Sequence, residues 1–261
     1  MLINGKLAQL GKKAAVYDHR TLKLAKYTVA LPEPASEVSW ITKLAAAEPL
    51  PMYLNDKLGD CVAAAAGHMI QQWNFYAGHP SQPEDSDILK AYEDVGGYDP
   101  GNPDTDNGMD MLSFLKYWAT TGVGGHKIGA FLAVDWTDAR QVRQAIGLFG
   151  NLYLGVGLPV SAQGQAAWTV GDGGIYKQAG EPGSWGGHCI PLMASSPLSH
   201  TCVTWGATLK MSHNFLVDYG DEAFVVLSQD WIETDGVAPS GFDLAQLRSD
   251  LAAVKSMPRA V

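Results

Sequence analysis

The feature that most constrains this chain is an abrupt change of texture at Cys61. A polar, turn-prone run, Asn55-Asp56-Lys57-Leu58-Gly59-Asp60, stops at the cysteine, and an alanine-rich stretch from Val62 to Tyr76 follows. Gly59 and Asp60 are turn and N-cap residues, so the pattern predicts a buried helix with Cys61 in its first turn. Unpaired N–H groups and the positive end of the helix dipole favour a thiolate there, and the thiolate is the form that attacks carbonyl carbon. The expectation is a nucleophile that ionises easily. A lone cysteine opening a helix is more often a small buried apolar residue, so a second signal must decide.

That signal lies far downstream. Ser184-Trp185-Gly186-Gly187-His188-Cys189-Ile190-Pro191-Leu192-Met193 places a histidine after two glycines and before an apolar run, which reads as a strand beginning at His188. A base on such a strand could face the helix start and take the thiol proton. Cys189 and Cys202 sit in apolar, strand-like runs and read as core. An odd count of three cysteines suits a reducing compartment rather than a disulfide framework.

Composition narrows the function classes. With 261 residues, 46% hydrophobic and 17% charged, the chain can bury one large core or two lobes of a single domain. A net charge of -9 without a lysine or arginine cluster argues against nucleic acid as a partner. No apolar run has the length of a membrane span, and Met1 to Lys6 lacks the apolar core of a secretory signal. The expected location is therefore the cytoplasm, with association with a virion or release by a non-classical route as the alternatives.

Residues 1–36 mix short apolar pieces with turns and end in Leu31-Pro32-Glu33-Pro34, which predicts an extended arm on the surface of the main body. Residues 37–261 form the globular part. Helices are expected over 62–76, 86–95 and 109–120, and strands over 128–134, 152–158, 201–206 and 223–227, with a short helix over 137–149 and a docking helix over 243–254. The loop from Asp99 to Gly108 has alternating oxygens, but Pro103 interrupts it and the required glutamate is missing, so it reads as an acidic loop rather than a calcium site. Metal binding through Cys61, His188 and Cys189 lacks any Cys-x-x-Cys or His-x-x-x-His pair. No metal or cofactor is implied. His68, seven residues past Cys61, is two helical turns along the axis and reads as structural. Helices in the first half and strands in the second predict an α+β protein of two lobes, about 50–123 and 124–235, with a cleft between them.

The order of these elements resembles the papain-like cysteine peptidases. Asn55 stands six residues before Cys61, where that family has its oxyanion glutamine. Val38-Ser39-Trp40 resembles the family's opening strand, Asn107-Gly108-Met109-Asp110 the glycine turn before a left-lobe helix, and Gly173-Gly174-Ile175-Tyr176 the approach to the histidine. Thr204-Trp205-Gly206 matches the Ser-Trp-Gly that follows the third catalytic residue. The resemblance implies a papain-like fold, a peptide or protein substrate, and acyl transfer by Cys61, with His188 as base and Asn55 in the oxyanion hole. Amidase or transglutaminase-like chemistry would use the same groups. The chain departs from the pattern at Val203, where the orienting asparagine would fall and which cannot bond an imidazole; Thr204, Asn214 or Asp230 are the residues that could take over that role. Trp185, Trp205 and Gly187 are expected to line the cleft. The departure at Val203 also admits an alternative of another class, a catalytically silent papain-like fold serving as a binding module in a phage particle or bacterial assembly.

Overall fold

The computed structural model describes residues 2–3, 6–27, 33–172, 174–229, 248–250 and 252–253. A small antiparallel pair, β1 (Leu2–Ile3) and β2 (Lys6–Leu7), opens the chain. Strand β3 (Val38–Ser39) leads into α1 (Ile41–Ala47), α2 (Cys61–Tyr76), α3 (Asp85–Gly96) and α4 (Met111–Thr120). Next come β4 (Ile128–Ala133), α5 (Ala139–Phe149), β5 (Leu152–Leu158), β6 (Ala167–Trp168), β7 (Gly186–Ser195), β8 (Ser199–Thr204), β9 (Ala207–Ser212), α6 (His213–Tyr219) and β10 (Gly220–Ser228).

The strands form one sheet in the order β4-β10-β5-β7-β8-β9-β6, with β3 paired to the far end of β7. Every neighbour is antiparallel except β6 and β9. Successive strand residues point to opposite faces, so the central strands feed two cores at once. On β7, Ile190 and Leu192 join one cluster with Val142, Ile146, Phe215 and Leu216, whereas Cys189 and Met193 join the other with α2, α3 and α4. β5 and β10 divide likewise: Leu152, Leu154 and Val225 face the first cluster, Tyr153, Phe224 and Val226 the second. Helix α2 is buried along most of its length, from Cys61 to Gln72, which explains its alanine-rich, all-round apolar composition.

The α+β architecture expected from the sequence is the one observed. The helix expected from Met109 begins at Met111, because Asp110 caps it by accepting the Ser113 N–H at 2.8 Å. Several short elements were not expected from the sequence: β1, β2, α1, β6, β9 and α6, the last capped by Ser212 accepting the Phe215 N–H at 3.2 Å. The helix expected over 243–254 falls mostly outside the described residues, and Asp230 and Gly173 fall outside them altogether. The arm departs from the surface path expected of it. Residues 9–13 thread through the cleft, and Lys12 is only 6% exposed.

Candidate active site

The turn before α2 is built from strained backbone. Tyr53 and Leu54 are both left-handed, at φ 54° and 68°, which costs about 1–3 kcal/mol for each non-glycine residue. The Leu54 carbonyl accepts the Lys57 and Leu58 N–H groups at 2.8 and 3.0 Å, closing the loop that brings Asn55 beside Cys61. Two braces fix this turn from outside. Asp106 accepts the Gly59 N–H at 2.9 Å and the Tyr92 hydroxyl at 2.5 Å, and Tyr153 donates to the Val62 carbonyl at 2.6 Å. The acidic loop is thus a strut for the cysteine turn.

Asp60 occupies the N-cap position, but its side chain does not cap the helix. It is fully buried and accepts from Asn55 Nδ2 at 3.0 Å, while burial raises its carboxyl well above the usual range. Asn55 Nδ2 also donates to the Leu58 carbonyl at 3.0 Å. Both amide hydrogens expected to serve an oxyanion are therefore committed in this state.

His188 opens the buried part of β7. Its Nε2 lies 2.7 Å from Thr204 Oγ1 on β8, and its ring stacks on Trp205 with centroids 4.4 Å apart. Trp205 is held left-handed at φ 46° in the turn before β9, with Trp168 and Trp185 packed against its indole. His188 Nδ1 is buried and carries no hydrogen bond among the described residues. Of the candidates for orienting the imidazole that lie among the described residues, Thr204 and Asn214, Thr204 is in contact with it. Asn214 sits on the exposed side of α6, away from the buried ring, because α6 turns its Phe215, Leu216 and Tyr219 inward.

Cys61, Asn55 and His188 line a single gap of about 10 Å³, together with Met52, Ala64, Ala65, His68, Cys189, Val203, Thr204 and Trp205. That is scarcely room for one water. The ionisation expected for Cys61 is reversed here. Burial pushes its thiol up to about 12, outweighing the backbone N–H groups of Cys189 and Gly11 that approach the sulfur. Burial likewise lowers His188 to about 3. Thiol and imidazole are both neutral.

The arm passes beside the gap, bonded to residues around it. Gln9 donates its N–H to the Asn55 carbonyl at 3.1 Å, and its own carbonyl accepts Trp205 Nε1–H at 3.1 Å. The Gly11 carbonyl accepts the Met109 N–H at 2.9 Å, Lys13 donates to the Met109 carbonyl at 3.0 Å, and Lys12 donates to the Gly187 carbonyl at 3.1 Å. Glycines make this path possible. A Cβ on Gly11 would sit 1.8 Å from the Gly59 oxygen, one on Gly108 1.8 Å from the Gly11 oxygen, and one on Gly187 2.2 Å from the Lys12 oxygen. Trp185 is half-buried beside Trp205, and Gly187 lies under the arm.

Lys12 completes the arm's hold. Its side chain is fully buried, with Nζ 2.9 Å from Asp221 Oδ2 and 3.0 Å from Glu222 Oε1. The sequence reading missed Gly11, Lys12, Asp106, Asp221 and Glu222. The one local signal was an acidic pair set directly before the apolar run of β10.

No helix among the described residues is long and apolar enough to cross a membrane, and no cluster of His, Cys, Asp or Glu among them is arranged to hold a metal. No family model matches the chain, and no curated protein matches it in sequence. Its likeness is in three dimensions. Xylellain, a cysteine protease from Xylella fastidiosa, superimposes with a TM-score of 0.62 at 13% identity, covering 87% of this chain and 99% of that one. The Carica candamarcensis cysteine protease CMS1MS2, solved with E-64, gives 0.52 at 12% identity over 74% of this chain and 98% of its own. The cysteine protease and lectin-like domains of Cwp84 from Clostridium difficile give 0.58 at 8% identity, over 85% and 57%. With helices and an antiparallel sheet meeting at a cleft where Cys61 and His188 face one gap, this chain has the papain-like fold of the cysteine proteases.

Proposed function

We propose that this chain is a thiol-dependent hydrolase of peptide or related amide bonds, held latent by its own N-terminal arm. One observation carries the reading: the helix-start cysteine and a strand histidine with an unbonded ring nitrogen wall the same gap. Once the arm leaves, the Cys61 thiol passes its proton to His188 Nδ1 and its sulfur attacks the substrate carbonyl carbon. The Cys61 N–H and one hydrogen of Asn55 Nδ2, freed from Leu58 or Asp60, hold the resulting oxyanion. His188 returns the proton to the departing amine as the C–N bond breaks. Water, deprotonated by His188, then hydrolyses the thioester and restores the thiol. Thr204 acts through His188, fixing the ring so that Nδ1 faces the gap. Solvent reaching the opened site removes much of the burial that keeps both groups neutral.

A second reading, a silent fold that serves as a binding module, draws support from the doubly committed Asn55 amide. The experiment that separates the two compares the Gly11→Ala chain, whose arm no longer fits, with its Cys61→Ala and His188→Ala derivatives on a fluorescent casein and a peptide library. Turnover in the first and none in the others is expected, with melting temperatures alike. Equal turnover without Cys61 overturns the mechanism. A Gly11→Ala chain that binds peptides yet cleaves none supports the module.

A further inference from the structure

Beside the gap, the same sheet carries a second constructed feature, a socket filled by the chain's own lysine. Gly155 on β5 pairs with Cys189 of β7 on one side and Glu222 of β10 on the other, so the socket stands one residue from His188. The Lys12 stem runs over Gly155, where a Cβ would come within 2.2 Å of Lys12 Cε. Its ammonium donates to Asp221 Oδ2 at 2.9 Å and to the Lys13 carbonyl at 3.0 Å, and it is ion-paired with Glu222 Oε1 at 3.0 Å. Burial opposes the charge, but the two carboxylates outweigh it and hold Lys12 more basic than usual.

Breaking such a pair leaves the remaining charges buried and unmatched. When the arm withdraws, Glu222, whose side chain is 8% exposed, loses its cation. Asp221, at 37%, stands at the outer end of the socket and can hydrate. The cleft is then open but carries an uncompensated carboxylate at the end of a narrow, glycine-floored channel. Resting on the reading of this cleft as a hydrolase site, we infer that the Asp221–Glu222 socket selects substrates by a basic side chain, so that the chain acts on lysine- or arginine-bearing peptides that replace Lys12. The channel is as long as a lysine stem, and Asp221, 37% exposed at its outer end, offers carboxylate oxygens to an arginine fork as to an ammonium.

The test uses binding rather than turnover, so it stands apart from the catalytic assignment. The full chain carrying Lys12→Ala and Cys61→Ala is titrated with end-blocked hexapeptides that differ at one position, occupied by Lys, Arg, Leu or Glu. Placing that position at each of the inner sites covers the unknown register. The expected result is at least a ten-fold tighter Kd for the Lys or Arg peptides at one register, lost on adding Glu222→Gln and reduced by Asp221→Asn. Because Glu222→Gln is made where Lys12 is already absent, it strands no cation, and its melting temperature checks the fold. Equal affinity for the Leu peptide, a basic preference that survives both substitutions, or no binding by any peptide overturns the inference. Basic preference without any cleavage by the Cys61-containing chain upholds the socket while removing the hydrolase.

Discussion

The His188 imidazole lies flat on the Trp205 indole, their planes 11° from parallel, while the same indole donates its N–H to Gln9 of the arm. One side chain therefore positions the base and holds the segment that covers it. Trp205→Phe keeps an aromatic face for His188 but removes the bond to the arm. A neutral hydrogen bond is worth about 1 kcal/mol net, so the arm should open roughly five-fold more often. Alkylation of Cys61 by iodoacetamide, followed by mass spectrometry, should quicken by about that factor, whereas an unchanged rate means that the indole N–H does not hold the arm.

Gly11→Ala tests the backbone fit. The added methyl meets the Gly59 carbonyl at 1.8 Å, and neither backbone can yield without losing the bonds to Met109 and Asp106. Expulsion of residues 9–13 is the expected response. Cys61, slow to react in the parent because burial keeps it a neutral thiol, should be alkylated at least ten-fold faster near pH 7. A variant as inert as the parent would show that something other than the arm shields the sulfur.

Thr204→Val removes the hydroxyl from His188 Nε2 without changing side-chain shape. The imidazole keeps its stack on Trp205 but loses the bond that sets its rotation and tautomer. In the arm-released chain, kcat should fall by about ten-fold with KM little changed, and the acid limb of the pH profile should move. Thr204→Ser should restore both. A rise in KM alone would assign Thr204 to substrate binding instead.

Stability should fall as the pH drops below about 6.5, the unperturbed value for a histidine. Burial holds His68 and His188 neutral down to about 3 and His200 to about 4, so the unfolded chain takes up protons that the folded one refuses. Each site can cost up to about 1.4 kcal/mol per pH unit across that window. Asp60 works in the opposite sense, since its folded carboxyl stays protonated where the unfolded one ionises, so it destabilises progressively as pH rises above about 4. Melting temperatures from pH 4 to 8 should show the acid decline, shallower in His188→Gln; identical acid slopes in the two proteins would contradict a neutral buried His188.

Cys61 and His188 were legible because each announces itself locally, the one by a turn running into an apolar helix and the other by glycines running into an apolar strand. Thr204 was legible only as one of three polar residues that could take over the role lost at Val203, and the pairing of β7 with β8 brings it against the imidazole. The protonation state was not legible, since helix-start chemistry depends on solvent that the arm excludes. The arm's course left no periodic trace either. Gly11 and Lys12 look unremarkable until Gly59, Gly108, Gly187 and the acidic pair, 209 residues away from Lys12 in the case of Asp221, are brought around them. The short helices α1 and α6, at seven residues each, offer too few turns for a stripe to stand out.

The sharing of β5, β7 and β10 between the two cores has a mechanical consequence. Alternate side chains of one strand are rooted in opposite clusters, so the strand that carries His188 cannot shift without disturbing both interiors. On the proposed reading, access comes by withdrawal of a thread from a slot rather than by the yawning of a hinge. Opening then depends on the bonds that tie residues 9–13 into the slot, and a change of one hydrogen bond there can retime the molecule while leaving its melting point almost untouched.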